Sequence, residues 1–227
     1  MGDAPLEVPV GRRPAPASIP HTEVGWRRRV NSRLVYGAMR RAIRDCNVKG
    51  PILMAPCSYG WYFQRFRRDN IEVVGLDISP KMIERARAAV TPPMQVIEGN
   101  ILQMDFADGQ FEFVLTNRFL MHFKTDFRVR AMKELTRVTH KYLLMHYDVP
   151  SQHTFLRKVR GFQKKDFTSE ELQGWRINKR QNRRLIYTPE MMADEGASVG
   201  LVVKKIYHVF PLLASRVYCL YEKRSAT

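Results

Sequence analysis

The chain has 227 residues, enough to bury one sizeable core and too few for two full catalytic domains. Hydrophobic residues at 44 %, with 13 Gly and 13 Pro, exclude a wholly disordered or collagen-like chain, and three cysteines without a CxxC pair exclude a disulfide scaffold and a Cys-rich zinc site. Thirty-eight Lys and Arg against 22 Asp and Glu leave a net charge of +16, so an anionic partner or surface is attracted.

Residues 1–20 carry Pro5, Pro9, Pro14, Pro16 and Pro20 among small residues and read as a flexible tail, because such a segment buries too little apolar surface to offset the entropy of ordering. Residues 21–227 read as a single domain. From Trp26 to Cys46 the residues Trp26, Val30, Leu34, Val35, Ala38, Ala42 and Ile43 recur at three- and four-residue spacing among arginines, the pattern of a basic amphipathic helix. No stretch approaches the ~20 apolar residues that cross a bilayer, and the first residues lack the apolar core of a secretion signal. The expectation is a cytoplasmic protein without a transmembrane segment, with peripheral contact at the inner face of a membrane left open.

An alternation of strands and helices follows. Ile52–Ala55 reads as a strand, Gly60–Arg68 as a helix, Val73–Ile78 as a strand, and Pro80 to about Val90 as a helix capped by Ser79 with Pro80 in its first turn. Short strands at Gln95–Ile97 and Phe111–Thr116, a helix at Asp126–Val138 and a strand at Tyr142–Tyr147 continue the series. Alternating units of this kind imply an α/β doubly wound, mostly parallel sheet covered on both faces. After a polar stretch, Leu201–Phe210 and Arg216–Glu222 read as two closing strands, an antiparallel pair.

In such a sheet a ligand sits outside the carboxyl ends of the strands, where strand order reverses, so the turn after the first strand is the first place to look. It reads Ala55-Pro56-Cys57-Ser58-Tyr59-Gly60. Asp77 ends the second strand, and its two oxygens suit the hydroxyl pair of a ribose; the other reading is a helix cap, a role that Ser79 fills.

From Ile52 to Tyr147 the chain resembles the class I S-adenosylmethionine-dependent methyltransferases of the small-molecule type, most specifically in VVGLDISPKMIERARAAV and IEGNILQMDFADGQFEFV. The resemblance implies a Rossmann-like sheet of seven strands, the last antiparallel, and S-adenosylmethionine as cofactor with S-adenosylhomocysteine as product. It implies that Asp77 holds the ribose hydroxyls, Ile78 packs on the adenine and Asn100 with Ile101 meets the adenine edge. Ala55, Cys57, Ser58, Tyr59 and Gly60 would form the cofactor loop. Here the sequence departs from the family pattern: Met54 stands in place of an acid, and Pro56 and Ser58 in place of two glycines.

Methyl transfer requires an acceptor atom held in line with the sulfonium methyl, water excluded and, for some acceptors, a base. Asn117 and His122 after the fourth strand and Asp148 after the fifth are the catalytic candidates; His122 among Phe119, Leu120, Met121 and Phe123 also reads as a packed helix residue, and Asp148 as the partner of an arginine. Residues 1–46 carry 9 Lys/Arg against 4 acids and residues 151–190 carry 10 against 4. The second cluster, with Arg157, Arg160, Arg183 and Arg184, reads as a basic insertion that recognises the substrate, or as a solvated charged face. The expected activity is methyl transfer to an oxygen, less readily a nitrogen, of an anionic acceptor, with a phosphorylated glycan or lipid-linked envelope precursor favoured. RNA methylation and a catalytically silent module binding an anionic partner are the alternatives.

Overall fold

The computed structural model describes residues 26–123, 125–149, 175–177, 183–185, 187–210 and 216–224. The expected tail, 1–20, and most of the expected insertion, including Arg157 and Arg160, lie outside the described residues. Contacts divide the chain into a unit ending at Arg33 and a unit from Leu34 onward, and the fold below belongs to the second.

Helix α1 (Trp26–Asp45) leads into β1 (Ile52–Met54), α2 (Phe63–Arg68), β2 (Val73–Asp77), α3 (Pro80–Ala89), β3 (Gln95–Glu98) and β4 (Phe111–Thr116). A short 3-10 turn (Leu120–His122) precedes α4 (Thr125–Val138) and β5 (Thr139–Asp148). After the short antiparallel pair β6 (Trp175–Ile177) and β7 (Arg183–Leu185) come α5 (Pro189–Ala197), β8 (Leu201–His208) and β9 (Arg216–Lys223). The main sheet has the order β3-β2-β1-β4-β5-β9-β8, parallel from β3 to β5, with β9 antiparallel to both its neighbours. This is the doubly wound seven-stranded sheet that the strand and helix pattern implies.

Why these residues make these layers is visible in burial. β1 and β2 are buried along their whole length, as central parallel strands covered on both faces must be. On one face Met39, Ala42 and Ile43 of α1, Phe63 and Phe66 of α2, and Ile83 and Ala86 of α3 pack together; on the other, Ala131, Met132 and Leu135 of α4 join Met192 of α5. Gly75 in β2 permits a close approach: a Cβ there would lie 2.6 Å from Phe63 Cζ and 3.0 Å from Cys57 Cβ.

Three expectations are corrected. Helix α2 starts at Phe63, because Cys57 to Tyr62 is spent on turns closed by Gly60 N–H to Cys57 O and Phe63 N–H to Gly60 O. Ser79 occupies the N-cap position of α3 with extended backbone but its side chain makes no capping bond. The stretch before β8 holds α5, whose cap is made by the Thr188 hydroxyl accepting from Met191 N–H at 3.3 Å, with Pro189 in the first turn.

Candidate active site

The site starts from Asp77. As the last residue of β2 it stands at the carboxyl edge of the sheet, next to the β1/β4 junction where strand order reverses. Its carboxylate is nearly buried, with Oδ2 accepting from Ser58 N–H at 2.8 Å and Oδ1 from Ser79 N–H at 3.0 Å. Four lone-pair sites serve two backbone donors, so each oxygen keeps capacity for one hydroxyl of a diol. Ile78, the next residue, is 49 % exposed although large and apolar, a flat surface beside the carboxylate.

The first loop is held as a glycine loop would be, without all of the glycines. Gly60 has φ +72° and Ser58 φ +53°, both in the left-handed region. For a residue with a Cβ that region costs energy, and the Ser58–Asp77 bond supplies compensation. Among the described non-glycine residues with positive φ, Asn47 and Asn70 follow helix ends, where asparagine is at home, while Ser58 and Arg118 follow β1 and β4. Both lie at the carboxyl edge.

Within that loop the side chains divide. Cys57 is buried against Gly75, and burial pushes its thiol up to about 12, so it offers the loop backbone and packing rather than a nucleophile. Ala55 is buried and its N–H donates to Leu115 O. The Ser58 hydroxyl meets Met82 Sδ at 3.8 Å, and Tyr59 packs edge-on to Trp61. On the adenine side, Asn100 Oδ1 accepts from Leu102 N–H at 2.9 Å, closing a local turn, and Ile101 is buried in the core on the α4 side. The free edge here is therefore backbone and the Asn100 amide, with the Ile101 side chain turned to packing.

The residues present fit a nucleoside with a charged methionine end: a carboxylate with spare acceptors, an exposed apolar face beside it, and a loop in left-handed geometry. Among the described residues a cavity of about 720 Å³ opens between the C-terminal ends of α2 and α3, lined by Phe63, Arg67, Arg68, Ala89 and Val90. It lies at the far end of the sheet from Asp77 and is no part of the site.

At the ends of β4 and β5 the acceptor-side candidates separate. The Tyr218 hydroxyl donates to Asn117 Oδ1 at 2.6 Å, fixing that amide. His122 ends the 3-10 turn and is exposed; Asp148 ends β5, half-buried, facing Arg216 across the β5–β9 ladder. Arg183 and Arg184 lie in β7, whose backbone passes close to the Leu120–His122 turn. Sequence reading missed Arg216 and Tyr218, which reach this edge. The signal was the antiparallel closing pair: β9 runs the opposite way to β5, so its first residues return to the carboxyl ends of the parallel strands.

A family model described as a methyltransferase domain matches residues 53–142. Over 88 residues, 39 % of the chain, it is 33 % identical to a malonyl-[acyl-carrier protein] O-methyltransferase from Erwinia pyrifoliae, and it spans only 32 % of the length of that curated relative. Two solved structures share its fold. The magnesium protoporphyrin IX methyltransferase of Synechocystis, solved with S-adenosylhomocysteine, superposes with a TM-score of 0.61 at 13 % identity, covering 89 % of each chain. The 1,6-didemethyltoxoflavin-N1-methyltransferase of Burkholderia thailandensis, with its acceptor and S-adenosylhomocysteine bound, also gives 0.61 at 14 % identity, covering 94 % of each chain. The matched domain runs from β1 into β5, through both the Ser58 loop and Asp77. Residues 53–142 thus match a methyltransferase domain, and the sheet that carries them has the fold of methyltransferases solved with S-adenosylhomocysteine bound.

Proposed function

We propose that the protein transfers a methyl group from S-adenosylmethionine to an oxygen of an anionic acceptor. The observation that carries the reading is the Asp77 carboxylate, held by Ser58 and Ser79 N–H groups with one acceptor site left on each oxygen, beside exposed Ile78. When bound, the cofactor supplies an electrophilic sulfonium methyl. Asp77 would hold its ribose, Ile78 its adenine, and the Ser58–Gly60 loop its methionine end. The left-handed geometry of Ser58 weighs against a silent scaffold, since strain of this kind persists where a function uses it.

Two features favour oxygen as acceptor and an anion as its carrier. The Erwinia relative is named as an O-methyltransferase, and the chain carries a +16 charge with 10 Lys/Arg in residues 151–190. A phosphorylated glycan or lipid-linked precursor is the class that basic segment suits, with Arg157, Arg160, Arg183 and Arg184 as its contacts. Oxygen attack on a methyl already activated as a sulfonium needs positioning more than base catalysis when the oxygen is anionic. Asn117, fixed by Tyr218, is the positioning group; exposed His122 and half-buried Asp148 are the candidate bases for acceptors that carry a proton.

The test is incubation of the pure protein with methyl-labelled S-adenosylmethionine and fractionated acid-soluble metabolites or envelope precursors. Label in an anionic fraction, with equimolar S-adenosylhomocysteine, is the expected result. Label confined to nuclease-sensitive material would shift the acceptor to RNA, and no transfer to any fraction by a protein that binds the cofactor would remove the enzymatic reading.

A further inference from the structure

Two helices that start beside the candidate active site end together at the other edge of the sheet. Helix α2 follows the Ser58–Gly60 loop and α3 follows Asp77, and the cavity of about 720 Å³ opens between their last turns. That volume lies within the roughly 300–1,000 Å³ that small-molecule sites occupy. The cavity has an apolar floor and a polar rim, as such sites do. Phe63 and Met94 belong to the buried core and half-buried Val90 packs against it, so a ring or short chain entering here meets carbon. On the rim, Gln64 stands three and four residues before Arg67 and Arg68, which sets the three exposed side chains on neighbouring positions of α2. Asn70 and Thr91 add neutral donors.

The charge on this rim has one sign. No Asp or Glu is among the described residues that line the cavity. Asp69, between Arg68 and Asn70, is engaged by Arg40 Nε at 2.9 Å and by the Tyr36 hydroxyl. Neither the Arg67 nor the Arg68 guanidinium is engaged by a described residue. The carbonyls at the end of α2, which would repel an anion, are already used: Arg65 O accepts from Asp69 N–H, Phe66 O from Ile71 N–H at 2.9 Å and Arg67 O from Asn70 N–H at 3.0 Å.

Two guanidinium groups without a carboxylate match an anion of two charges. A phosphate monoester carries nearly two at neutral pH, and its oxygens fit guanidinium forks. A carboxylate brings only one charge, and inorganic phosphate leaves the apolar floor empty. We propose that this cavity is a second ligand site, which takes a phosphate monoester of a small apolar or aromatic group. Arg67 and Arg68 hold the phosphate, and Phe63, Val90 and Met94 receive the organic part. The site is separate from the one beside Asp77, and the proposal does not depend on the methyltransferase reading.

The test is an amide chemical-shift titration of the isotope-labelled full chain with phenyl phosphate, inorganic phosphate and benzoate. Phenyl phosphate should bind saturably and move the amides of residues 63–70 and 88–94, with the other two probes weaker by roughly fivefold or more. Arg67→Gln and Arg68→Gln should each weaken phenyl phosphate roughly tenfold or more. Ala89→Phe, which fills the cavity without changing charge, should weaken it as much, whereas Arg130→Gln on α4, across the sheet, should leave it unchanged. The proposal is overturned if phenyl phosphate does not move these amides, if its shifts centre on residues 58–60 and 77, or if benzoate or inorganic phosphate binds as tightly. It is overturned equally if Ala89→Phe or both Gln variants at 67 and 68 match the wild type, or if Arg130→Gln weakens binding as much as they do.

Discussion

Ser58 shows how a site can depart from a family's residues and keep its shape. Its left-handed backbone is what a glycine would adopt freely, and the bond from its N–H to Asp77 survives removal of the side chain. Ser58→Gly should therefore stabilise the protein by about 0.5–1 kcal/mol, read as a raised Tm with cofactor affinity retained. A lower Tm would show that the hydroxyl contact with Met82 matters more than the strain. The departure was legible in the sequence as a missing glycine; that the backbone tolerates it was not, because φ depends on what the N–H finds across the turn. The cysteines are a second case at this scale. Burial raises the thiol of Cys46 to about 11 and those of Cys57 and Cys219 to about 12. Folded thiols stay protonated where unfolded ones ionise, so they favour the folded state below the ordinary thiol range, and that stability is lost as pH rises through about 9 to 12. Native protein should be unreactive to a thiol reagent at pH 8, releasing three equivalents only in denaturant; rapid native labelling would contradict the burial.

Between elements, one buried ion pair ties α4 to α5. Arg128 is 1 % exposed, reaches Glu195 through Nε and Nη2 at 2.8 Å each, and lies over the rings of Tyr187 and Tyr147. Tyr147 donates to Glu195 and meets Tyr221, which holds this tyrosine in the core. Glu195→Ala leaves a buried guanidinium without its partner and should cost about 3–5 kcal/mol in urea unfolding, whereas joint replacement by Arg128→Met and Glu195→Leu should cost far less. Equal losses for both would mean that the pair is not what joins the helices. Helix α5 itself was hidden in sequence by the polar run before it, although Thr188-Pro189 is a start signal that could have been read. The β6–β7 pair carries no comparable signal: three-residue strands rich in arginine lack the apolar alternation that marks a strand.

For the whole molecule, the alternating, mostly parallel sheet was legible because strands buried on both faces are continuous apolar runs. Asp77 was legible as the acid that ends the second strand, while the strand order that sets it beside the reversal point came from the structure. The acceptor side did not follow, because Arg216 and Tyr218 come to β4 and β5 only through the register of the antiparallel β9, which no local pattern specifies. The account as a whole depends on Asp77 gripping a ribose. Calorimetry with S-adenosylmethionine on the wild type and on Asp77→Asn measures this directly, the Asn variant keeping size while losing charge and one acceptor. The account predicts binding by the wild type and a loss of roughly tenfold to a hundredfold in the variant. Equal affinities for the two proteins would contradict it.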